Sequence, residues 1–303
     1  GDGFDYGYYG PNTALKPEMT TSYEIGFEGR LFNDKVNTDF TYFWTHCQDQ
    51  YITSFRLSYA TGFVLNNMNV GTFDTHGWEF HIDGDVYRTK DWRINLGLNA
   101  SHTTSKVTDL PENVSEYYNA YTWNSGNIRN GISKGHPVTT LTGLAYRRNK
   151  NGDVLIDPSS GTPLTMSTWS ILGDREPMIK FGFTAGITYK QFRLSALFAG
   201  RYHATVVNGT KRTMLSNGTS WESVDLREGP GYVFKGVLND GNENTDHPTV
   251  NTIAYHYQTG VYSGGDEDWL EKNVNYIRLQ ELRLNYTVPS NWLRSVTKNI
   301  LSQ

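Results

Sequence analysis

YEIGFEGRLFNDKVNTDFTYFW, the stretch 23–44, contains two runs in which apolar and polar side chains alternate. The members of the apolar parity are Tyr23, Ile25, Phe27, Leu31, Val36, Thr38, Phe40, Tyr42 and Trp44. An alternation with period two predicts β-strands, since successive side chains of a strand point to opposite faces. The polar Asn33-Asp34-Lys35 between the runs predicts a tight hairpin turn.

Five further runs repeat this alternation. They lie at 78–82, 92–100, 181–189, 192–198 and 277–286. In the last run the apolar parity slips between Leu279 and Leu282, which predicts a β-bulge. The sequence therefore predicts an all-β chain with seven main strands.

The connections between the runs are of two kinds. The short polar ones are 33–35, 88–91 and 190–191, and the long ones, rich in Gly, Asn, Ser, Thr and Tyr, are 47–70, 104–177 and 206–273. A compact soluble domain rarely carries structureless connections this long. An antiparallel transmembrane β-barrel carries them routinely, with short periplasmic turns and long extracellular loops.

Composition narrows the class of protein. The chain has 303 residues with 27 Lys and Arg against 31 Asp and Glu, so its net charge of -4 argues against a nucleic-acid partner. A mean hydropathy of -0.56 argues against a helical membrane protein. Aromatic residues nevertheless make up 14% of the chain.

The two parities have opposite character. The apolar parity carries no charged residue in any of the seven runs, whereas the other parity holds Glu, Asp, Arg, His and Asn. Aromatic residues recur near the strand ends, as in the girdles of membrane barrels: Trp44, Trp78, Trp92, Tyr189, Phe192 and Tyr286. We therefore expect the apolar face to meet lipid and the polar face to line a lumen. The alternative is a soluble antiparallel β-sandwich, whose strand signals recur about every 8–12 residues.

Four ordered segments carry a family resemblance. They are LKPEMTTSYEIGFE at 15–28, NVGTFDTHGWEF at 69–80, GDREP at 173–177 followed by YKQFRLS at 189–195, and YIRLQELRLNYTVP at 276–289. In order and spacing they resemble strand motifs of SusC/RagA-type TonB-dependent outer-membrane transporters.

The resemblance implies how much of such a protein is present. The family's barrel has 22 strands and is preceded by a plug domain and a TonB box. Residues 1–303 are expected to be a partial barrel domain from the C-terminal half, with about seven or eight strands. The plug domain, the TonB box and the closing strands are expected to be absent from this chain.

The resemblance also implies a function. It is nutrient import across the outer membrane of a Gram-negative, Bacteroidetes-type bacterium, with oligosaccharides as the first substrate class and peptides as the second. The implied partners are a SusD-like surface lipoprotein, outer-membrane lipid, and the TonB-ExbB-ExbD complex, reached through the missing N-terminal part. The alternative is a secreted or surface β-sandwich module that binds glycans as an adhesin.

The candidate ligand-binding residues are aromatic side chains of the long connections. Exposed rings can stack on sugars and contact peptides, although packing within the loops or against a partner protein is the competing interpretation. The set is Tyr117, Tyr118, Tyr121, Trp123, Trp169, Trp221, Tyr232 and Trp269.

No residue pattern predicts catalysis, a metal or a cofactor. The chain offers many carboxylates but no basis for choosing the pair that glycoside hydrolysis requires, so an enzyme is not predicted. Residues 149–153, NKNGD, are interpreted as a hairpin turn rather than a calcium loop. The acidic run Asp266-Glu267-Asp268 is expected to lie on a solvated surface.

Overall fold

The computed structural model describes residues 7–56, 60, 62–112, 114–121, 127–159, 161–221, 234–238 and 265–292. In this part of the chain, strands form one seven-stranded sheet and two small sheets. The longer helical elements are α1, Gly209–Ser216, and a 3-10 helix, Asp266–Trp269. Within the described ranges, no helix has the length and apolarity needed to cross a bilayer.

The main sheet contains all seven predicted strands. Its members are β2 (Met19–Leu31), β3 (Val36–Gln48), β6 (Thr72–Arg88), β7 (Trp92–Asp109), β12 (Ile179–Tyr189), β13 (Phe192–Val207) and β14 (Leu270–Tyr286). They are ordered β14-β13-β12-β7-β6-β3-β2, and each neighbouring pair is antiparallel. The three predicted short turns connect β2 to β3, β6 to β7 and β12 to β13, and are thus confirmed.

Two small sheets lie mainly in the segments predicted to be long loops. The first contains β1 (Gly7–Gly10), β4 (Tyr51–Arg56) and β5 (Phe63–Asn69), and the second contains β8 (Tyr117–Tyr121), β9 (Arg129–Ile132), β10 (Thr140–Gly143) and β11 (Ser170–Asp174). β1 pairs with β5 in parallel, which is an exception to the antiparallel pairing expected throughout. The long connections are therefore folded rather than structureless.

The main strands also extend past their predicted ends. β7 was expected to end near Ala100 but continues to Asp109, and β14 begins at Leu270 rather than Ile277. A tilted strand crosses a bilayer in about 9–11 residues, whereas β7 has 18. The remainder stands outside the membrane, where each face meets water or protein, as at the buried Val107. Alternation is therefore lost there, and the sequence gives no strand signal.

The apolar face of the main sheet is uncovered. Ile25, Leu284 and Ile277 are 74%, 70% and 68% exposed. Among the described residues no second sheet packs on this face, as a β-sandwich would require. Large apolar side chains without a protein cover are expected where lipid supplies the contact.

An aromatic row marks the turn end of this face. Trp92, Tyr189, Phe192 and Tyr286 are successive cross-strand partners on β7, β12, β13 and β14. The ring centroids of Trp92 and Tyr189 are 4.4 Å apart, and those of Phe192 and Tyr286 are 4.8 Å apart. This row is the predicted girdle on the side of the short turns.

A second set of aromatic residues marks the other boundary. Tyr23 stacks on Trp44 at 5.7 Å, and Tyr202 shares the outward parity of Phe192 on β13. The ten residue steps from Phe192 to Tyr202 span about 33 Å along the strand at ~3.3 Å per residue. At a tilt of about 40° this is about 25 Å along the membrane normal, the height of the apolar band of an outer-membrane barrel.

The predicted bulge is present on β14. Leu197 pairs with Glu281 and Phe198 pairs with Leu279, so Gln280 is the extra residue. The bulge keeps Leu279 and Leu282 on the same outward face, which explains the slip in the sequence pattern.

The hydrophobic core lies beside the long connections and not under the main sheet. One cluster, named here the helix-side core, contains Ile128, Leu141, Leu172, Leu215, Trp269 and Leu270. The other, the hairpin-side core, contains Val70, Val107, Leu110, Tyr117 and Ile132. Both clusters draw on the outer ends of the main strands, so the extramembrane part packs as a soluble protein does.

Candidate ligand-binding site

The eight candidate aromatics have different surroundings. Trp123 and Tyr232 lie outside the described residues, and Tyr121 ends β8 with only its backbone described. Trp221 is 81% exposed and Trp269 is 3% exposed. The remaining three, Tyr117, Tyr118 and Trp169, lie on or beside the second small sheet.

Tyr118 and Trp169 meet at one cation. The guanidinium carbon of Arg129 lies 3.6 Å from the ring centroid of Trp169 and 4.7 Å from that of Tyr118. Nε of Arg129 donates to Oε1 of Glu116 at 2.8 Å, which holds the guanidinium in place. Both rings keep more than a third of their surface exposed, so the arrangement is a fixed stacking platform open to solvent.

The β8–β9 hairpin produces this platform. Tyr118 pairs with Gly131 and Tyr121 pairs with Arg129 across the hairpin. A side chain at position 131 would overlap both Glu116 Oε1 and Thr142 Oγ1, so glycine is required there. Thr142 Oγ1 donates to Glu116 Oε1 at 2.9 Å, which fixes the carboxylate that orients Arg129.

Tyr117 points the other way, into the hairpin-side core. It is 4% exposed, and its hydroxyl donates to Oε1 of Gln50 at 3.0 Å. Burial raises the pKa of Tyr117 to about 12, because the phenolate would lose its hydration. Its ring therefore supports the site from below and offers no free face for stacking.

A cleft lies between the two small sheets. This inter-sheet cleft has a volume of about 310 Å³ and is lined by Tyr8, Ile52, Phe55, Val64, Leu65, Glu116, Tyr117, Tyr118 and Arg129. Its size is at the lower end of the range for ligand sites, ~300–1,000 Å³. Arg129 and Glu116, which this cleft and the platform share, were not among the predicted residues.

The acidic run was expected to be solvated, and for Asp266 this is wrong. Asp266 is 1% exposed and accepts the backbone N–H groups of Leu144 at 2.6 Å and Asn127 at 3.1 Å. Burial raises the pKa of Asp266 and of Asp268, and the hydroxyl of Tyr146 donates to Asp268 at 2.5 Å. These hydrogen bonds connect the 3-10 helix to loop segments that are distant in the sequence.

Residues 149–153 form the predicted turn. Oδ1 of Asn149 accepts the backbone N–H groups of Asn151 and Asp153, both at 2.9 Å, and Gly152 has a φ of 91°. Across the described ranges, no three His, Cys, Asp or Glu side chains group as a metal site would require.

Charge divides the polar face of the main sheet into two halves. On β2, β3 and β6, carboxylates predominate: Glu24, Glu28, Asp39, Glu79, Asp83 and Asp85. On β7, β12, β13 and β14, cations predominate: Arg93, Lys180, Arg193, Arg201, Arg278 and Arg283. Glu28 and Asp39 are direct cross-strand partners, a like-charged pair that costs stability. The expected lumen wall thus has an acidic and a basic side.

Comparison with known proteins agrees with this geometry. The profile of the family described as "TonB dependent receptor-like, beta-barrel" matches residues 1–300. The chain belongs to this family. The match confirms the resemblance and the β-barrel fold class. Together with the relatives of SusC and RagA type described below, it assigns the protein to the outer membrane of a Bacteroidetes-type bacterium.

The curated relatives are TonB-dependent receptors. TonB-dependent receptor P26 of Formosa agariphila is 24% identical over 92% of this chain and 28% of its own length. TonB-dependent receptor SusC of Bacteroides thetaiotaomicron is 21% identical over 95% of this chain and 28% of its own length. The chain therefore spans under a third of the length of these relatives.

Among solved structures, the fold matches RagAB. The RagAB peptide importer in its "open-open" state aligns with a TM-score of 0.63 at 18% identity, over 94% of this chain and 30% of that one. A further structure, of the RagAB peptide transporter, aligns with a TM-score of 0.60 at 20% identity over 90% of this chain and 29% of that one. At this identity the likeness concerns the fold alone.

Proposed function

We propose that the chain is part of the barrel of a TonB-dependent transporter that imports oligosaccharides or peptides across the outer membrane. The observation that carries the proposal is the uncovered apolar face of the main sheet, which is bounded by two aromatic zones about 25 Å apart. The opposite face is charged, and the sheet lies within the residues that match the family. An adhesin of the β-sandwich type would bury the apolar face.

The same proposal concerns the rest of the protein. Within the described sheet, β2 and β14 have one unpaired edge each, and an open edge is not stable in hydrocarbon. We propose that further strands of a longer chain close the barrel. A plug domain, a TonB box that engages TonB-ExbB-ExbD, and a SusD-like lipoprotein over the outer vestibule complete the assembly.

No bond is made or broken in this function, and we propose that the protein is not an enzyme. The ligand binds at the outer, folded loops and then passes along the charged wall when the plug moves. A peptide carries charges of both signs and gains from a wall divided into acidic and basic halves. A neutral glycan does not, and two fold neighbours are described as a peptide importer and a peptide transporter.

Gene deletion tests the transport proposal. Deletion of the full-length gene should abolish growth on one oligosaccharide or peptide source and leave growth on free glucose and amino acids intact. Complementation with a variant lacking the TonB box should not restore growth. Unimpaired growth of the deletion strain on every tested glycan and peptide source would contradict the proposal.

Fractionation tests the location separately. The receptor should remain with outer-membrane vesicles after a high-salt and carbonate wash, and it should require detergent for extraction. Release as a monomer without detergent would favour the adhesin alternative.

A further inference from the structure

The lining of the inter-sheet cleft indicates a substrate class within the proposed function. We infer that it accepts an apolar side chain of an extended peptide, with the Arg129–Glu116 pair at the peptide backbone. The inference rests on the proposed import function, which could hold for oligosaccharides even if this assignment fails.

The floor of the cleft is suited to an apolar group. Ile52, Phe55 and Val64 come from β4 and β5, lie on the same face of the first small sheet by their strand pairing, and are each only partly buried. Two of these three side chains are aliphatic and offer no flat face for stacking on a sugar ring. A volume of about 310 Å³ holds a large side chain with room for adjacent backbone.

The polar groups of the cleft are largely engaged already. The Tyr117 hydroxyl donates to Gln50, and Oε1 of Glu116 accepts from both Arg129 and Thr142. A sugar brought into the cleft would lose water from several hydroxyls and find few new partners. Such unpaired polar groups cost affinity, whereas an apolar side chain loses nothing by leaving water.

One edge of the cleft remains polar in a form that matches a peptide unit. The guanidinium of Arg129 presents N–H donors beside the carboxylate acceptor of Glu116, and both side chains are about seven-eighths buried. An amide group presents a carbonyl acceptor and an N–H donor in a similarly fixed relation. Tyr118 stands at this edge and adds apolar contact to the backbone.

The binding test uses the full-length receptor with its lipoprotein partner and three probes: trileucine, triglycine and maltotriose. Binding is measured by isothermal titration calorimetry. Burial of one leucine side chain should make trileucine bind at least about tenfold more tightly than triglycine, with maltotriose weaker than trileucine.

Substitution locates the effect. Val64→Thr keeps the branched shape of the side chain but places a hydroxyl in the apolar floor, and it should remove most of the tenfold preference for trileucine. Ile52→Ala should reduce it as well, and provides a second test should Val64→Thr fold poorly. Val206→Thr is the matched control, since Val206 is exposed and does not line the cleft.

Two results would overturn the inference. One is equal affinity for trileucine and triglycine in the unaltered receptor. The other is a preference for trileucine that survives both cleft substitutions in folded protein. In either case growth and uptake assays on the deletion strain still decide the import function independently, so the two failures can be told apart.

Discussion

Phe27 provides the sharpest test of which face of the main sheet meets lipid. It lies on the outward parity of β2, is 57% exposed, and its ring centroid is 6.0 Å from that of Phe40. It is four residues from Tyr23 on one side and four from Leu31 on the other. At ~3.3 Å per residue and a tilt of about 40°, Phe27 is about 10 Å along the membrane normal from Tyr23 and from the last residue of β2, near the bilayer midplane.

The perturbation is Phe27→Arg. A lipid-facing arginine at midplane depth costs about 2–4 kcal/mol of folding free energy, because its charge must be drawn to the interface or hydrated by a water defect. This corresponds to about 30-fold to 700-fold in the folding equilibrium constant. Tyr23→Arg, at the boundary, should cost only about 0–1 kcal/mol.

The adjacent residue supplies the matched control. Glu28 is on the opposite parity and is the direct cross-strand partner of Asp39. Glu28→Arg introduces the same side chain one position along the same strand, but it replaces a like-charged pair with an opposite-charged one. It should be neutral or stabilising by about 0.2–1 kcal/mol.

Two quantities are measured for the full-length receptor. The folded fraction in outer membranes is determined from the heat-dependent shift in electrophoretic mobility, and the urea midpoint of unfolding is determined in liposomes. We expect the order Glu28→Arg, then Tyr23→Arg, then Phe27→Arg from most to least stable. Equal losses for the two adjacent substitutions, or a loss confined to Glu28→Arg, would refute the assignment of the faces.

Two further predictions concern packing and pH. Gly200→Val should lower the free energy of unfolding by about 1–3 kcal/mol, because a Cβ there overlaps the Phe181 ring. Gly186→Val should be tolerated, since the nearest side-chain atom to a Cβ there is 3.8 Å away. Urea midpoints in liposomes compare the two variants. Burial raises the pKa of Asp268, so its protonated form is favoured in the folded state and stability should fall as pH rises through the folded-state pKa. Asp268→Asn keeps an acceptor for Tyr146 and should flatten this pH dependence. Amide exchange of residues 265–270 as a function of pH measures it. If local stability falls with pH as steeply in the variant, Asp268 does not cause the dependence.

The membrane-embedded part of the fold could be predicted because its two faces have different solvents. Lipid excludes charge from one parity, and water in the lumen admits it on the other. The signal therefore survives in every crossing strand, including the slip that Gln280 introduces in β14. Beyond the girdle both faces meet water or protein, and so the outer half of β7 gave no alternation to detect.

The site was only partly predictable, for a different reason. The aromatic residues Tyr118 and Trp169 could be selected by type, but the contact that joins them is made by Arg129 from another strand. An arginine in a polar loop has no distinctive local signal. The burial of Asp266 was also hidden, because its partners are backbone groups more than a hundred residues away.

These two parts of the chain reverse the ordinary relation between polarity and burial. In the membrane-facing sheet, leucine and isoleucine are outermost, as at Ile277 and Leu284, and they pack against lipid. In the extramembrane part, apolar residues such as Ile128 and Val70 are innermost, as in a soluble protein. Recognition at the inter-sheet cleft therefore depends on the folded loops, while insertion depends on the outward parity of the strands. Substitutions that loosen either core should then change ligand affinity without changing the amount of receptor in the membrane, and substitutions at outward positions should do the reverse.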